Sequence, residues 1–171
     1  VYVYFGGPGS DNVADVTMTG GTDDYFGWSV AKAGDVNGDG FDDILVGALD
    51  CCLYKGMAFI YLGGPAPNNV SDLTLLGAVN DDIFGWSVAG AGDINGDGFD
   101  DLVIGDYVAS PHGARSGSAY VVFGHAGTNE PSLVLSALNG SNGFRVDGEK
   151  AMDYAGFAVS SAGDFNGDGF D

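Results

Sequence analysis

Apolar and polar residues alternate in short blocks along the chain, and the blocks return in the same order. Runs of aromatic and β-branched residues stopped by glycine, such as 1–5, 59–62 and 119–123, are typical of β-strands. Each run is followed by a polar loop and then by a short apolar segment, at 16–19, 73–76 and 133–135. Two further blocks, 28–33 and the wholly apolar 44–46, complete one unit. The pattern predicts four strands per unit, the second of them buried on both faces.

The longest repeated stretch runs from Phe84 to Ile104, and a closely similar stretch runs from Phe26 to Val46. A third copy begins at Ala155. Consecutive four-stranded units are typical of β-propeller blades, and a β-solenoid is the alternative that uses fewer strands per coil. We therefore predict an all-β fold of four-stranded antiparallel β-propeller blades.

The predicted blade boundaries make the chain one partial propeller. Residues 1–25 are the end of a blade, 26–83 and 84–154 are complete blades, and 155–171 start a further one. The second complete blade has a longer loop, since 139–148 is a turn-rich insertion. Open edges favour a segment of a longer chain, and a unit that assembles with its own copies is the alternative.

Each copy contains oxygen-bearing side chains at positions 1, 3 and 5 of a loop, with glycine at position 6, and the first two copies add an aspartate at position 9. Calcium takes six to eight oxygen ligands, and the carbonyl of position 7 adds one. The start of each loop matches the EF-hand pattern. In the second loop, however, Ile104 stands where an EF-hand has the glutamate of position 12, and the flanking segments read as strands. We therefore predict calcium-binding hairpin loops. Magnesium, which keeps more water, and an ion-free polar hairpin are the alternatives. The predicted ligands are Asp35, Asn37, Asp39, Phe41 and Asp43; Asp93, Asn95, Asp97, Phe99 and Asp101; and Asp164, Asn166, Asp168 and Phe170 in a third site that lacks position 9.

The 171 residues carry a formal charge of −19, with only 5 Lys plus Arg. So few cations cannot form the basic patch that nucleic acid or an anionic membrane surface requires. The sequence predicts no transmembrane run, and its first residues, 1–5, read as a strand rather than as a signal peptide. Cys51 and Cys52 are adjacent, which leaves a vicinal disulfide, a bridge to another chain or free thiols open.

Other candidate residues receive more modest interpretations. Asp42 and Asp100, at position 8, are predicted to be solvated, and Trp28 and Trp86 to be repeat core. The acidic pairs 23–24 and 81–82 read as exposed turns, and Asn69 and Asn139 begin glycosylation sequons. His112 and His125 lie in different loops without a nucleophile motif, so we predict no enzyme activity.

The Phe-Gly start, the Asp-x-Asn-x-Asp-Gly-x-Asp-Asp loop and the Leu-Val-Ile-Gly that follows it resemble the FG-GAP repeat of integrin α-subunit propellers and their bacterial secreted relatives. The sequence of residues 138–148 is more similar to the bacterial secreted type than to animal integrins. The resemblance implies a ring of seven blades, calcium in the hairpin between the first and second strands, and an extracellular or cell-surface location. It also implies a protein or glycan ligand on one propeller rim.

From these features we expect an extracellular binding or adhesion module that calcium stabilises. Its partners would be a rim ligand and neighbouring blades of the same or another chain, with no nucleic acid and no membrane insertion. The alternatives are a structural building block of a surface layer or filament, and a non-catalytic part of a secreted hydrolase.

Overall fold

The structure is a computed structural model that describes residues 1–49, 55–78, 82–127 and 132–171. The predictions for Cys51, Cys52 and Asp81 lie outside the described residues. The strands are β1 (Tyr2–Val3), β2 (Val16–Thr17), β3 (Ser29–Gly34), β4 (Asp43–Ala48), β5 (Met57–Tyr61), β6 (Leu73–Leu76), β7 (Ser87–Gly92), β8 (Asp101–Asp106), β9 (Ser118–Val122), β10 (Ser132–Val134) and β11 (Gly143–Asp147). A single 3-10 turn at Leu135–Ala137 is the helical element of the described residues.

The strands form two sheets of propeller-blade type and one smaller pair. The first sheet has the order β10-β6-β5-β4-β3, the second the order β11-β9-β8-β7, and β1 pairs with β2. The pairs β3–β4, β4–β5 and β5–β6 of the first sheet are antiparallel, and so are the pairs β7–β8, β8–β9 and β9–β11 of the second. The prediction of an all-β fold with four-stranded antiparallel units, a partial β-propeller, is confirmed.

The second strand of each unit is buried on both faces, as its apolar sequence predicts. Every residue of β4 and β8 is buried or half-buried. The inner faces of the sheets meet in one core around Phe84, which is fully buried with its ring 5.5 Å from that of Tyr120. Further members of this core are Leu45, Ile60, Leu75, Leu102 and Ile104.

Small residues let the first strands of the two sheets lie close together. A Cβ on Gly90 of β7 would fall 2.6 Å from the carbonyl oxygen of Ala33 in β3, a distance that side chains do not tolerate. The Ser29 hydroxyl donates to the Gly85 carbonyl at 2.7 Å and so ties the first sheet to the start of the second. The observed packing agrees with the crowded position that the sequence indicated for these strands.

The fourth strand of the second sheet differs from the prediction. The apolar segment 133–135 was expected to supply it, but β10 pairs in parallel with β6 of the preceding sheet. Strand β11, which lies inside the predicted turn-rich insertion 139–148, pairs with β9 along all of its length instead. The physical reason is burial, because Leu135 is buried in the core between the sheets while the more polar β11 lies at an exposed edge.

Where the structure describes the chain, no helix has the length and hydropathy needed to cross a lipid bilayer.

Candidate functional site

The loop between β3 and β4 is folded around the carboxylate of Asp35. One oxygen, Oδ1, accepts the N–H groups of Gly38 at 2.7 Å and Asp39 at 3.0 Å, and Oδ2 accepts that of Gly40 at 2.8 Å. The Asn37 amide donates to Asp39 Oδ2 at 3.0 Å. These contacts bring the predicted ligands at positions 1, 3 and 5 together on one side of the turn.

The same arrangement occurs in the other two loops. Asp93 Oδ1 accepts from Gly96 at 2.8 Å, and Asp164 Oδ1 accepts from Gly167 at 2.6 Å. The Asn95 and Asn166 amides donate to the aspartate two residues later, at 2.9 Å and 2.8 Å. Three loops of near-identical hydrogen bonding show that the spacing of these side chains determines their local structure.

The position-9 carboxylates are buried and accept backbone N–H groups. Asp43 is 1% exposed and accepts the N–H groups of Val36 at 2.9 Å and Gly63 at 2.8 Å. Asp101 accepts from Ile94 and Gly124, both at 2.9 Å. Within the described residues, no three Asp, Glu, His or Cys side chains converge closely enough to hold a metal ion. The structure therefore assembles positions 1, 3 and 5 and leaves position 9 turned toward backbone.

The donor chemistry of these loops nevertheless fits a hard divalent cation. All side-chain acceptors are oxygens of Asp or Asn, and a carboxylate has about four lone-pair sites, so those of Asp39 keep free capacity beside their hydrogen bonds. The ion pairs seen among the described residues are Lys32–Asp42 and Arg145–Asp147, and neither includes a predicted ligand. Within the described residues, the predicted ligands of the acidic loops thus have no ion pair with a protein cation.

Burial makes the electrostatic imbalance sharper at position 9. Burial raises the pKa of Asp43, the N–H donors Gly63 and Val36 oppose that rise, and the nearby carboxylates of Asp39 and Asp35 add to it. Burial raises the pKa of Asp101 in the same way. A cation close to either loop would favour the charged form of these groups.

The two position-8 aspartates have different environments. Asp42 has a side chain that is 63% exposed and pairs with Lys32 at 2.9 Å, so its predicted solvation holds. The prediction for Asp100 is wrong, because its Oδ2 accepts the Asp35 N–H at 2.7 Å across the two sheets. The sequence could not predict this contact, because the two residues are 65 positions apart.

Asp106 is a buried charged residue whose environment the sequence pattern did not indicate. It ends β8, is 1% exposed and accepts the N–H groups of Ile83 at 3.3 Å and Ala109 at 3.2 Å. Burial, with a contribution from the nearby Asp82 carboxylate, raises the pKa of Asp106 to about 7. The signal in the sequence was an aspartate at the end of an otherwise apolar strand.

A row of aromatic rings lies at the other end of the first strands from the acidic loops. The Trp28 ring lies 4.9 Å from that of Trp86, which lies 4.7 Å from Tyr107 and 5.8 Å from Phe157. The aromatic row comprises Tyr25, Trp28, Trp86, Tyr107, Tyr154 and Phe157. Trp28 is 50% exposed, so its predicted place in the repeat core is wrong; the ring packs on its neighbours at the surface.

The two histidines lie apart from each other, and the backbone N–H of His125 donates to the Val36 carbonyl in the first acidic loop at 3.0 Å. His112 Nδ1 lies 2.9 Å from the Gly148 carbonyl oxygen, and His125 belongs to another loop. Asn69 and Asn139 are both exposed. Glycosylation at these two asparagines stays a prediction.

Comparison with known proteins gives one family and a set of relatives. The model of the FG-GAP repeat matches residues 26–49 and 84–122. The chain is 32% identical over 158 residues to integrin alpha-5 of Xenopus laevis, 37% over 151 residues to integrin alpha-IIb of Mus musculus, and 36% over 106 residues to integrin alpha-6 of Homo sapiens. These alignments cover 85%, 78% and 61% of the chain but only 14%, 14% and 9% of the relatives.

The matched segments coincide with the parts of the fold described above. Residues 26–49 contain β3, the first acidic loop and β4, and residues 84–122 contain β7, β8 and β9 with the second loop. Repeat sequence, sheet topology and relatives agree, and the chain belongs to the FG-GAP repeat family with integrin-like β-propeller blades.

Proposed function

We propose that the chain is part of an extracellular binding or adhesion module whose blades are stabilised by calcium in the acidic loops. The observation that carries this proposal is the threefold recurrence of one hydrogen-bond arrangement. In each loop the position-5 N–H donates to side-chain oxygens of positions 1 and 3, and the position-3 amide donates to the position-5 carboxylate. The residues that would hold the ion are those predicted from the sequence, including the carbonyls of Phe41, Phe99 and Phe170. Bound calcium would offset carboxylate repulsion and add its binding free energy to the stability of the fold.

Calcium removal tests the metal part of the proposal. We expect millimolar calcium to raise the melting temperature by at least about 5 °C over excess EGTA, since two sites filled to about 100 times Kd contribute about 5 kcal/mol. The double variant Asp39→Ala, Asp97→Ala should lose most of this gain.

Asp42→Ala is the matched control for that experiment, because Asp42 lies in the same loop but its exposed carboxylate pairs with Lys32. It should keep the full calcium-dependent gain. Equal melting temperatures of the unaltered chain in calcium and in EGTA would contradict a structural role for the ion.

The aromatic row supports the binding part of the proposal. It places Trp28 and Phe157, each at least half exposed, on the rim opposite the acidic loops. Exposed aromatic rings in contact with one another suit a protein or glycan ligand, since they supply large rigid contact area at low entropic cost. A non-catalytic role, and relation to the bacterial secreted type, are part of the same proposal.

An array of immobilised glycans and extracellular proteins can test the rim. We expect binding of the calcium-loaded chain to at least one probe and a loss of at least about tenfold in affinity for Trp28→Ala. Val13→Ala alters a side chain that is 67% exposed and outside the row, and it should bind normally. Binding that is equally strong in both variants would place the ligand elsewhere.

A further inference from the structure

The acidic loops of neighbouring sheets are joined by a reciprocal pair of hydrogen bonds. Asp35 N–H donates to Asp100 Oδ2 at 2.7 Å, and Asp100 N–H donates back to the Asp35 carbonyl at 3.1 Å. Both backbone polar groups of Asp35, position 1 of the first loop, are therefore bound by position 8 of the second loop. We call this pair of residues with Phe99 and Gly38 the interloop clasp.

Phe99 adds an apolar contact to the clasp. Its ring lies against Gly38, where a Cβ would come 2.5 Å from Phe99 Cε1, and Gly38 has a φ of 75°. A Cβ on Gly34 would overlap the Asp100 carboxylate. Glycine at both places is needed for the close approach of the second loop.

The next pair of loops repeats the arrangement, which shows that it belongs to the repeat and is not accidental. Asp93 N–H donates to Asp171 Oδ2 at 3.1 Å, and Asp171 N–H approaches the Asp93 carbonyl at 3.5 Å. The Phe170 ring lies against Gly96 as Phe99 lies against Gly38. Asp42, which has the same position in the first loop, is paired with Lys32 and is exposed.

The clasp connects predicted ligands of two sites directly. Asp100 lies between Phe99 and Asp101, positions 7 and 9 of the second site, so an ion that orders these two also fixes Asp100. Asp100 in turn holds the backbone of Asp35, which opens the first site. We propose that Asp100 is a positioning residue that couples the two cation loops, so that filling the second loop raises the affinity of the first, an inference that rests on the proposed calcium binding.

Peptide-resolved hydrogen exchange measures the protection of each loop separately during a calcium titration. Disabling the second loop with Asp97→Ala should raise the calcium concentration at the midpoint of protection of 35–43 by at least about fivefold, the lower end of ordinary coupling energies. In the Asp100→Ala background the same change should move that midpoint less than about twofold, because the connection is already absent.

Conservative and matched variants separate positioning from simple damage to the fold. Asp100→Asn keeps an oxygen that can accept the Asp35 N–H and should retain the coupling, and Asp42→Ala should behave as the unaltered chain. Phe99→Leu, which removes the ring from Gly38, should weaken the coupling and gives a second variant if Asp100→Ala does not fold.

Two results would overturn the coupling while leaving calcium binding intact: an unchanged midpoint for 35–43 after Asp97→Ala, or full coupling in Asp100→Ala. Absence of any calcium-dependent protection in either loop would instead refute the proposed function, and the coupling with it.

Discussion

Burial decides what each aspartate of this acidic chain does. Asp42 remains in solvent beside Lys32, whereas Asp106 is enclosed at the end of β8 with backbone N–H groups as partners. No cation neutralises Asp106 among the ion pairs of the described residues, and its neighbour Asp82 is itself acidic. The fold therefore stabilises the protonated form of a residue type that is normally charged.

Asp106→Asn should change how the stability of the chain depends on pH. The pKa of Asp106 is raised to about 7 in the folded chain, against about 3.9 in an unfolded one. Its contribution to stability is fully present below pH 4 and is lost as the pH rises through 7. The difference in unfolding free energy between the variant and the unaltered chain should therefore shift in favour of the variant by on the order of 2–4 kcal/mol from pH 5 to pH 8.

Urea unfolding of both proteins at the two pH values, at one fixed calcium concentration, measures this difference. A constant cost of placing the amide at position 106 cancels in the comparison, so only the change with pH matters. Asp11→Asn, at an exposed site, is the control and should follow the unaltered chain. A variant curve parallel to the unaltered one would show that Asp106 is ionised when folded.

At the scale of strands, the sequence correctly predicted those elements that are determined by their own residues. The run 73–76 was predicted as a strand and is β6, because apolar residues between polar turns specify a strand locally. The choice of partner is not local. Leu133 and Leu135 have the composition expected of a fourth strand, yet β10 pairs with β6, since there Leu135 is buried and Leu133 packs half-buried against the core.

The candidate site shows the same division between local and distant causes. Positions 1, 3 and 5 come together because their spacing lets each side chain accept a nearby backbone N–H. The role of Asp100 was missed because its partner Asp35 lies in the neighbouring sheet. The surface position of Trp28 was missed for a related reason: its shared place in the repeat indicated packing, and its packing partner is the half-buried Trp86 of the aromatic row.

Across the whole molecule, the two ends of the first strands have opposite chemical character. Strand β3 starts after Trp28 in the aromatic row and ends before Asp35 in the first acidic loop, and β7 repeats this between Trp86 and Asp93. Six residues of strand separate the two rims by about 20 Å. A ligand on the aromatic rim and an ion in the loops can therefore be bound at the same time without contact.

The formal charge of −19 acts on the molecule as a whole and must be separated from binding at the loops. In excess EGTA, sodium chloride should raise the melting temperature gradually, because salt screens repulsion between exposed carboxylates over a Debye length of about 10 Å at 0.1 M. Calcium chloride at a few millimolar, compared at equal ionic strength, should raise it further, since positions 1, 3 and 5 of each loop offer oxygens gathered at one place. Magnesium should fall between the two, because it retains more of its water. If the calcium and sodium curves coincide when plotted against ionic strength, general screening accounts for the stabilisation and the loops bind no ion with structural effect.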